Sequence, residues 1–146
     1  MRHLDHPPER VWAAITDPGE LVAWWGAATV ELAAGGRFDV RWLNTGDETV
    51  ELHGTIVELD PPRLLALDTD LHGPIRFELA EEHGGTRLVF TTSPEAKGPM
   101  VPITQAGWHV HLDFLAEALD GRAVDWPRWP RGRWDAVHQR YVAAFD

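Results

Sequence analysis

The clearest periodic pattern in the chain lies over residues 105–120, near the C-terminus. At the helical repeat of about 100° per residue, four bulky apolar residues fall within an arc about 60° wide, and polar residues gather on the opposite side. The apolar positions are Trp108, Leu112, Leu115 and Leu119, and the polar ones are His109, Asp113, Glu117 and Asp120. We predict an amphipathic helix, the longest of the chain, with Thr104 as its N-cap and Gly121 as the left-handed residue that ends it.

The middle of the chain alternates between apolar and polar residues, as strands with one solvent-facing side do. Phe38, Val40 and Trp42 alternate with charged residues and predict the clearest strand. Further strands are predicted at residues 48–59, 63–69, 75–80 and 86–92, with Phe77 facing inward, and Gly54 marks a bulge. Residues 82–85 contain two glycines and predict a hairpin turn between the last two strands.

Two short helical segments precede the strands. A proline pair begins the first at Pro7, residues 17–19 end it, and a second turn passes through Trp24 and Trp25. Because a long helix follows a train of strands, the order of elements predicts an α+β fold in which an antiparallel sheet packs its face on that helix. We expect this arrangement to leave a cavity.

The composition changes after Gly121, and we divide the chain into a domain of residues 1–121 and a segment of residues 122–146. Three tryptophans and four arginines lie close together there: Trp126, Trp129, Trp134, Arg122, Arg128, Arg131 and Arg133. From Trp134 onward, apolar residues recur at helical spacing, which predicts an extra C-terminal helix packed on the domain. The segment is either a lid held by packing and arginine–tryptophan contacts or a patch that binds a peptide or a membrane surface.

Charge and composition narrow the function. The chain has 13 lysines and arginines and 23 aspartates and glutamates, so its net charge is −10. Because this charge repels polyanions, we expect neither nucleic acid nor a membrane as a partner. The chain has no cysteine, which excludes a disulfide framework and a thiolate metal site. The apolar runs are too short to span a bilayer, and we expect a cytoplasmic protein.

Several short motifs in a characteristic order resemble one family. They lie at residues 7–17, 24–26, 35–38, 54–64, 84–88 and 107–108, and the sequence is similar to the activator of heat-shock-protein ATPase homologue-like family of the START-like (SRPBCC) superfamily. The resemblance implies a helix-grip fold, as in birch-pollen-allergen-like proteins, in which a bent antiparallel sheet wraps the long helix and encloses an apolar pocket. Residues 1–6 leave room only for a short first strand.

The histidines of the long helix do not predict a metal site. His109 and His111 lie about 200° apart on a helix, and only His109 shares a side with Asp113, whereas zinc needs three or four converging ligands. His111 flanks the apolar stripe and is either a buried histidine satisfied by a neighbour or a polar group that contacts a ligand. The sequence contains no nucleophile or nucleotide-binding motif, so we assign no catalytic residue, metal or cofactor.

We therefore predict a protein that binds a compact apolar or aromatic small molecule, neutral or cationic, between the sheet and the long helix. The expected pocket residues are Trp25, Phe38, Val40, Trp42, Phe77, Trp108, His111, Leu112 and Leu115. One short turn is not expected to bury both Trp24 and Trp25, and the resemblance implies that Trp25 is the one at the pocket mouth. Whether the chain forms a homodimer stays open.

Two alternatives follow from the resemblance. One is an enzyme of the polyketide cyclase or hydratase kind, with His111 as its acid or base, and it requires a carboxylate or tyrosine beside His111. The sequence offers only Tyr141 for that role. The other is a co-chaperone-like protein interaction. A binding role is the favoured reading of the three.

Overall fold

In the computed structural model, which describes residues 1–45, 47–92 and 100–145, seven strands form one antiparallel sheet. In chain order they are β1 Arg2–Leu4, β2 Ala27–Val30, β3 Arg37–Arg41, β4 Glu51–Asp60, β5 Leu64–Thr69, β6 Gly73–Glu82 and β7 Gly85–Thr92. Their order across the sheet is β1-β7-β6-β5-β4-β3-β2. Strands β2 to β7 therefore form a meander, and the N-terminal strand β1 extends the sheet beyond β7.

Four helices accompany the sheet in the described residues. They are α1 Pro8–Thr16, α2 Pro18–Leu21, α3 Met100–Leu119 and α4 Arg131–Phe145, and a 3-10 turn spans Trp126–Arg128. The predicted α+β helix-grip fold with an additional C-terminal helix is confirmed. Proline begins both α1 and α2, as expected where the first backbone N–H has no helical acceptor.

The five strands predicted from alternation are present, with shifted ends; the short first strand that the resemblance implies is β1, and β2 was not predicted. Strand β3 ends at Arg41, and Trp42 lies just beyond it, where its backbone N–H still donates to the carbonyl of Val50 at 3.0 Å. The short edge strands β1 and β2 lack the alternation that marks the others, because neither sequence is long enough to show a period of two.

Glycine and turn positions decide details of the sheet. The hairpin predicted at residues 82–85 is confirmed, with positive φ at His83 (49°) and Gly84 (79°). The bulge expected at Gly54 is wrong: the register of β4 against β5 shifts between Ile56 and Glu58. Gly54 instead permits close approach of strands, because a Cβ there would lie 2.9 Å from the carbonyl oxygen of Phe38.

The long helix begins earlier than its apolar stripe indicates. It starts at Met100, so Thr104 lies inside the helix and is not its N-cap, which corrects that prediction. The predicted end is confirmed: Gly121 has a φ of 87°, and its backbone N–H donates to the carbonyl of Ala118 at 2.9 Å. The stripe of bulky residues begins only at Trp108 and carries no information about the turns before it.

Helix α3 is buried on two sides rather than one. The predicted stripe packs on the sheet, and Leu115 and Leu119 are 0% and 5% exposed. A second set, which includes Val110 and Phe114, is buried beneath the C-terminal segment at 1% and 2% exposure. The single-stripe interpretation therefore missed the face that the segment covers.

The C-terminal segment is attached to the domain by specific polar contacts. The backbone N–H of Val124 donates to the carbonyl of Ala23 at 2.9 Å, and the indole N–H of Trp126 donates to the carbonyl of Val22 at 2.7 Å. The Arg133 guanidinium donates to the Glu117 carboxylate and lies 5.4 Å from the ring centre of Phe114. The arginine thus makes its cation–π contact with a phenylalanine of α3, and not with a tryptophan of the segment as predicted.

Candidate functional site

A cavity of about 390 Å³ lies where α3, the C-terminal segment and two connections between strands meet. Aromatic side chains form much of its wall: Trp42, Trp108, Phe114, Trp129 and Trp134. The other lining residues are Asn44, Thr45, Val50, Leu71, His72, Ile103, Thr104, Gly107, Val110 and His111. Among the described residues, no aspartate, glutamate, lysine or arginine lines it. Its volume is within the range of small-molecule sites, about 300–1,000 Å³.

The cavity is displaced from its predicted place between the sheet face and α3. Much of that space is filled by a cluster of aromatic rings centred on Trp25, whose ring centre lies 5.2 Å from that of Trp108 and 5.7 Å from that of Phe38. Open volume between the sheet and α3 is left only toward β1 and β7, in the second cavity described below. Because side chains pack the concave face, the 390 Å³ cavity lies instead beside the face of α3 that looks toward the C-terminal segment.

The predicted pocket residues divide into three groups. Trp42, Trp108 and His111 line the cavity. The residues that are at most 1% exposed and do not line it are Trp25, Phe38, Val40, Phe77 and Leu115. Leu112 lines a second cavity on the other side of α3. Of the five buried residues, Trp25 packs directly behind the cavity residues Trp42 and Trp108, and Phe38 and Phe77 pack against Trp25.

Both adjacent tryptophans are fully buried, which corrects the expectation that one short turn could not bury them. The Trp24 indole N–H reaches α1 and donates to the carbonyl of Ala14 at 2.8 Å. Trp25 packs against the sheet residues Phe38 and Phe77 and against Trp108 of α3. Three elements, not the turn alone, cover the pair, so Trp25 does not lie at a pocket mouth.

His111 is held by a hydrogen bond at each ring nitrogen. Its Nδ1 lies 2.9 Å from the carbonyl oxygen of Trp24, and its Nε2 lies 3.1 Å from the indole Nε1 of Trp42. An indole N–H can only donate and a carbonyl can only accept, so His111 carries its proton on Nδ1. Burial lowers the pKa of His111 to about 4, against the opposing effect of the Trp24 carbonyl. His111 is therefore a neutral, satisfied histidine that positions Trp42 at the cavity wall.

The enzyme alternative required a carboxylate or tyrosine beside His111. In the described residues, the recorded polar contacts of its ring are the Trp24 carbonyl and the Trp42 indole. Tyr141 lies elsewhere, with its hydroxyl 2.9 Å from Nδ1 of His109. His111 therefore has no free ring nitrogen for proton transfer in this arrangement.

His72 is a second histidine at the cavity, and the sequence analysis did not single it out. It lies in the turn between β5 and β6, and its ring centre is 6.0 Å from that of Trp42 and 5.5 Å from that of Trp108. Burial lowers the pKa of His72, while the nearby Asp70 carboxylate partly opposes this shift. The ring is therefore mainly neutral at pH 7.

The second cavity, of about 480 Å³, is larger but less suited to an apolar molecule. An Arg2–Asp113 ion pair lies in its wall, and His109 contacts both Asp113, at 3.5 Å, and Tyr141. Burial lowers the pKa of His109, with Asp113 opposing the shift. These side chains tie β1, α3 and α4 together.

The geometry of the helix histidines agrees with the sequence analysis. His109 faces Asp113 and Tyr141, whereas His111 faces Trp24 and Trp42. Within residues 1–45, 47–92 and 100–145, no group of three or more histidines, aspartates or glutamates is placed to hold a metal ion.

Several cavity residues could have been found from a second periodicity in α3. Ile103, Gly107, Val110 and Phe114 follow one another at helical spacings of four, three and four residues. This second pattern is less conspicuous than the stripe of Trp108 and three leucines, because one of its four positions is a glycine and its side chains are on average smaller. Trp129, Trp134 and His72 gave no such signal, because only long-range packing brings them to the cavity.

A curved antiparallel sheet that grips a long C-terminal helix, with an apolar cavity against that helix, defines a START-like protein of the SRPBCC superfamily. Within it, the sequence profile of the family described as Activator of Hsp90 ATPase homolog 1-like protein matches residues 5–120. The chain belongs to this family, and the predicted resemblance is confirmed. No curated protein sequence matches the chain.

Solved structures support the same fold. A Bordetella parapertussis protein is 28% identical, with a TM-score of 0.74, over 97% of this chain and 82% of that one. CalU16 from Micromonospora echinospora is 25% identical, with a TM-score of 0.75, over 97% and 80%. An AHSA1-like protein from Aeromonas hydrophila is 25% identical, with a TM-score of 0.71, over 81% and 88%.

No helix among the described residues combines the length and the apolar character that a membrane crossing demands.

Proposed function

We propose that this protein binds a compact apolar or aromatic small molecule in the 390 Å³ cavity beside α3. The observation that carries the proposal is the wall itself: four tryptophans surround a volume in which no lining residue of the described chain is charged. Membership of a fold that binds small hydrophobic ligands supports the same reading.

Electrostatics favour an uncharged ligand. A carboxylate or phosphate in the cavity would find no arginine or lysine in the described wall, and an ammonium group would find no carboxylate. Burying an unpaired charge is far more costly than burying an apolar ring. The sequence-based expectation of a neutral or cationic ligand is thereby narrowed to a neutral one in this proposal.

Gly107 offers a direct way to fill the cavity without disturbing the core. It lines the cavity from within α3, and a Cβ built at this position meets no atom within 4 Å. A leucine side chain there would extend into the open volume. Gly132 of α4 has equally free space around its Cβ and does not line the cavity, so Gly132→Leu is the matched control.

The test is titration with the neutral fluorophore N-phenyl-1-naphthylamine, together with native mass spectrometry of the purified protein. We expect wild type and Gly132→Leu to bind the fluorophore and Gly107→Leu to bind it at least ten-fold more weakly, with all three proteins folded. Any small molecule retained by wild type in the mass spectrometer should be lost from Gly107→Leu. Equal affinity of the two leucine variants for the fluorophore would contradict the proposal that the ligand binds in this cavity.

A further inference from the structure

The cavity contains one histidine whose ring is not already engaged. His111 uses both ring nitrogens within the protein, so a ligand can hydrogen-bond to it only by displacing Trp24 or Trp42. The His72 ring shows no hydrogen bond or ion pair with any described residue, although its two aromatic neighbours hold it in the wall. Its nitrogens are therefore available to a molecule in the cavity.

The turn that carries His72 is built to hold it in place. The Thr69 hydroxyl donates to the carbonyl of Gly73 at 2.8 Å and accepts from the backbone N–H of His72 at 3.1 Å. Asp70 ties the same turn to β4, because its carboxylate accepts from the backbone N–H of His53 at 2.9 Å. A side chain on such a fixed turn presents its polar atoms in one place, which favours specific recognition.

A second polar group at the same wall lacks a partner. The indole N–H of Trp108 is buried and makes no hydrogen bond to any described residue, and the Trp108 ring lies against the His72 ring. A neutral imidazole offers one nitrogen that accepts and one N–H that donates, and the indole N–H only donates. The Trp108 N–H has almost no accessible surface, so at this wall His72, and not Trp108, is the group that a molecule in the cavity can reach.

Resting on the proposed function, we propose that the ligand is an uncharged aromatic molecule with one hydroxyl group, and that His72 hydrogen-bonds this hydroxyl while tryptophans enclose the ring. A hydroxyl group can donate to the acceptor nitrogen of His72 or accept from its N–H, whichever of the two faces the cavity, whereas a carbonyl can only accept and a bare ring does neither. A carboxylate in its place would lie unpaired among apolar side chains.

Three matched probes separate these possibilities: naphthalene, 2-naphthol and 2-naphthoate, measured by calorimetry at pH 7.5. We expect 2-naphthol to bind about ten-fold more tightly than naphthalene, as one net hydrogen bond predicts, and 2-naphthoate to bind most weakly. His72→Phe keeps an aromatic ring and should remove the preference for 2-naphthol while naphthalene still binds. His3→Phe, at the edge strand and outside the cavity, should keep the preference.

A direct spectroscopic measurement does not depend on any variant. The ring nitrogen resonances of His72 should shift when 2-naphthol binds to ¹⁵N-labelled wild type, and naphthalene should leave them nearly unchanged. Equal affinity for 2-naphthol and naphthalene, or a preference that survives in His72→Phe, would overturn the role of His72 and leave apolar binding standing. Failure of all three probes to bind would overturn both proposals.

Discussion

Acidification should destabilise the protein through His111. Because the folded-state pKa of about 4 lies below the ordinary value of 6.5, the unfolded chain takes up the proton first as the pH falls. Stability from this residue is therefore complete above about pH 6.5 and declines as the pH approaches 4. The structure explains the direction: a second ring proton, on Nε2, would face the indole N–H of Trp42, and two donors cannot bond.

The size of the effect follows from the two pKa values. Each pKa unit corresponds to about 1.4 kcal/mol, so complete protonation would cost about 3 kcal/mol. Between pH 7 and pH 5, linkage predicts a loss of about 2 kcal/mol in the free energy of unfolding from this residue alone. Such a loss is a large share of the stability of a typical domain, about 5–15 kcal/mol.

The assay compares urea unfolding of wild type and His111→Gln at pH 7 and pH 5. Glutamine does not titrate, and its amide oxygen can still accept from the Trp42 indole. His72 and His109, whose pKa values burial also lowers, contribute to both proteins and largely cancel in the difference. We expect wild type to lose about 2 kcal/mol more than the variant between the two pH values. Equal losses would refute the assignment of His111 as a buried, neutral histidine.

Two further predictions concern packing. Trp108→Ala should lower the free energy of unfolding by about 3–5 kcal/mol, because the side chain is 6% exposed and packs on aromatic rings of the sheet and turns; a loss under about 1 kcal/mol in a urea titration would mean that it is not core. Removing residues 122–146 should leave a folded but less soluble domain, since Val110 and Phe114 lose their cover; unchanged solubility would show that the segment covers no apolar surface.

Local patterns predicted most of the fold for a simple reason. An element buried on one side records that side in its periodicity, and Phe38 with Val40 on β3, or Leu115 with Leu119 on α3, are such cases. Gly84 and Gly121 marked their turns because their positive φ values favour glycine. The pattern failed where an element was very short, as in β1 and β2, or where a second surface covered it, as at Val110 and Phe114.

The candidate site depends on contacts between distant parts of the chain, which no local pattern contains. His111 bonds Trp24 and Trp42, which are 87 and 69 residues away, and these bonds decide that it is neutral and satisfied. The cavity is the volume that remains after Trp25 fills the sheet face and the C-terminal segment closes over α3. Periodicity thus predicted an α+β domain with a long amphipathic helix, and the family resemblance supplied the helix-grip fold. The position of the cavity, and the placement of His72 in its wall, arise from how close-packed side chains divide the interior space.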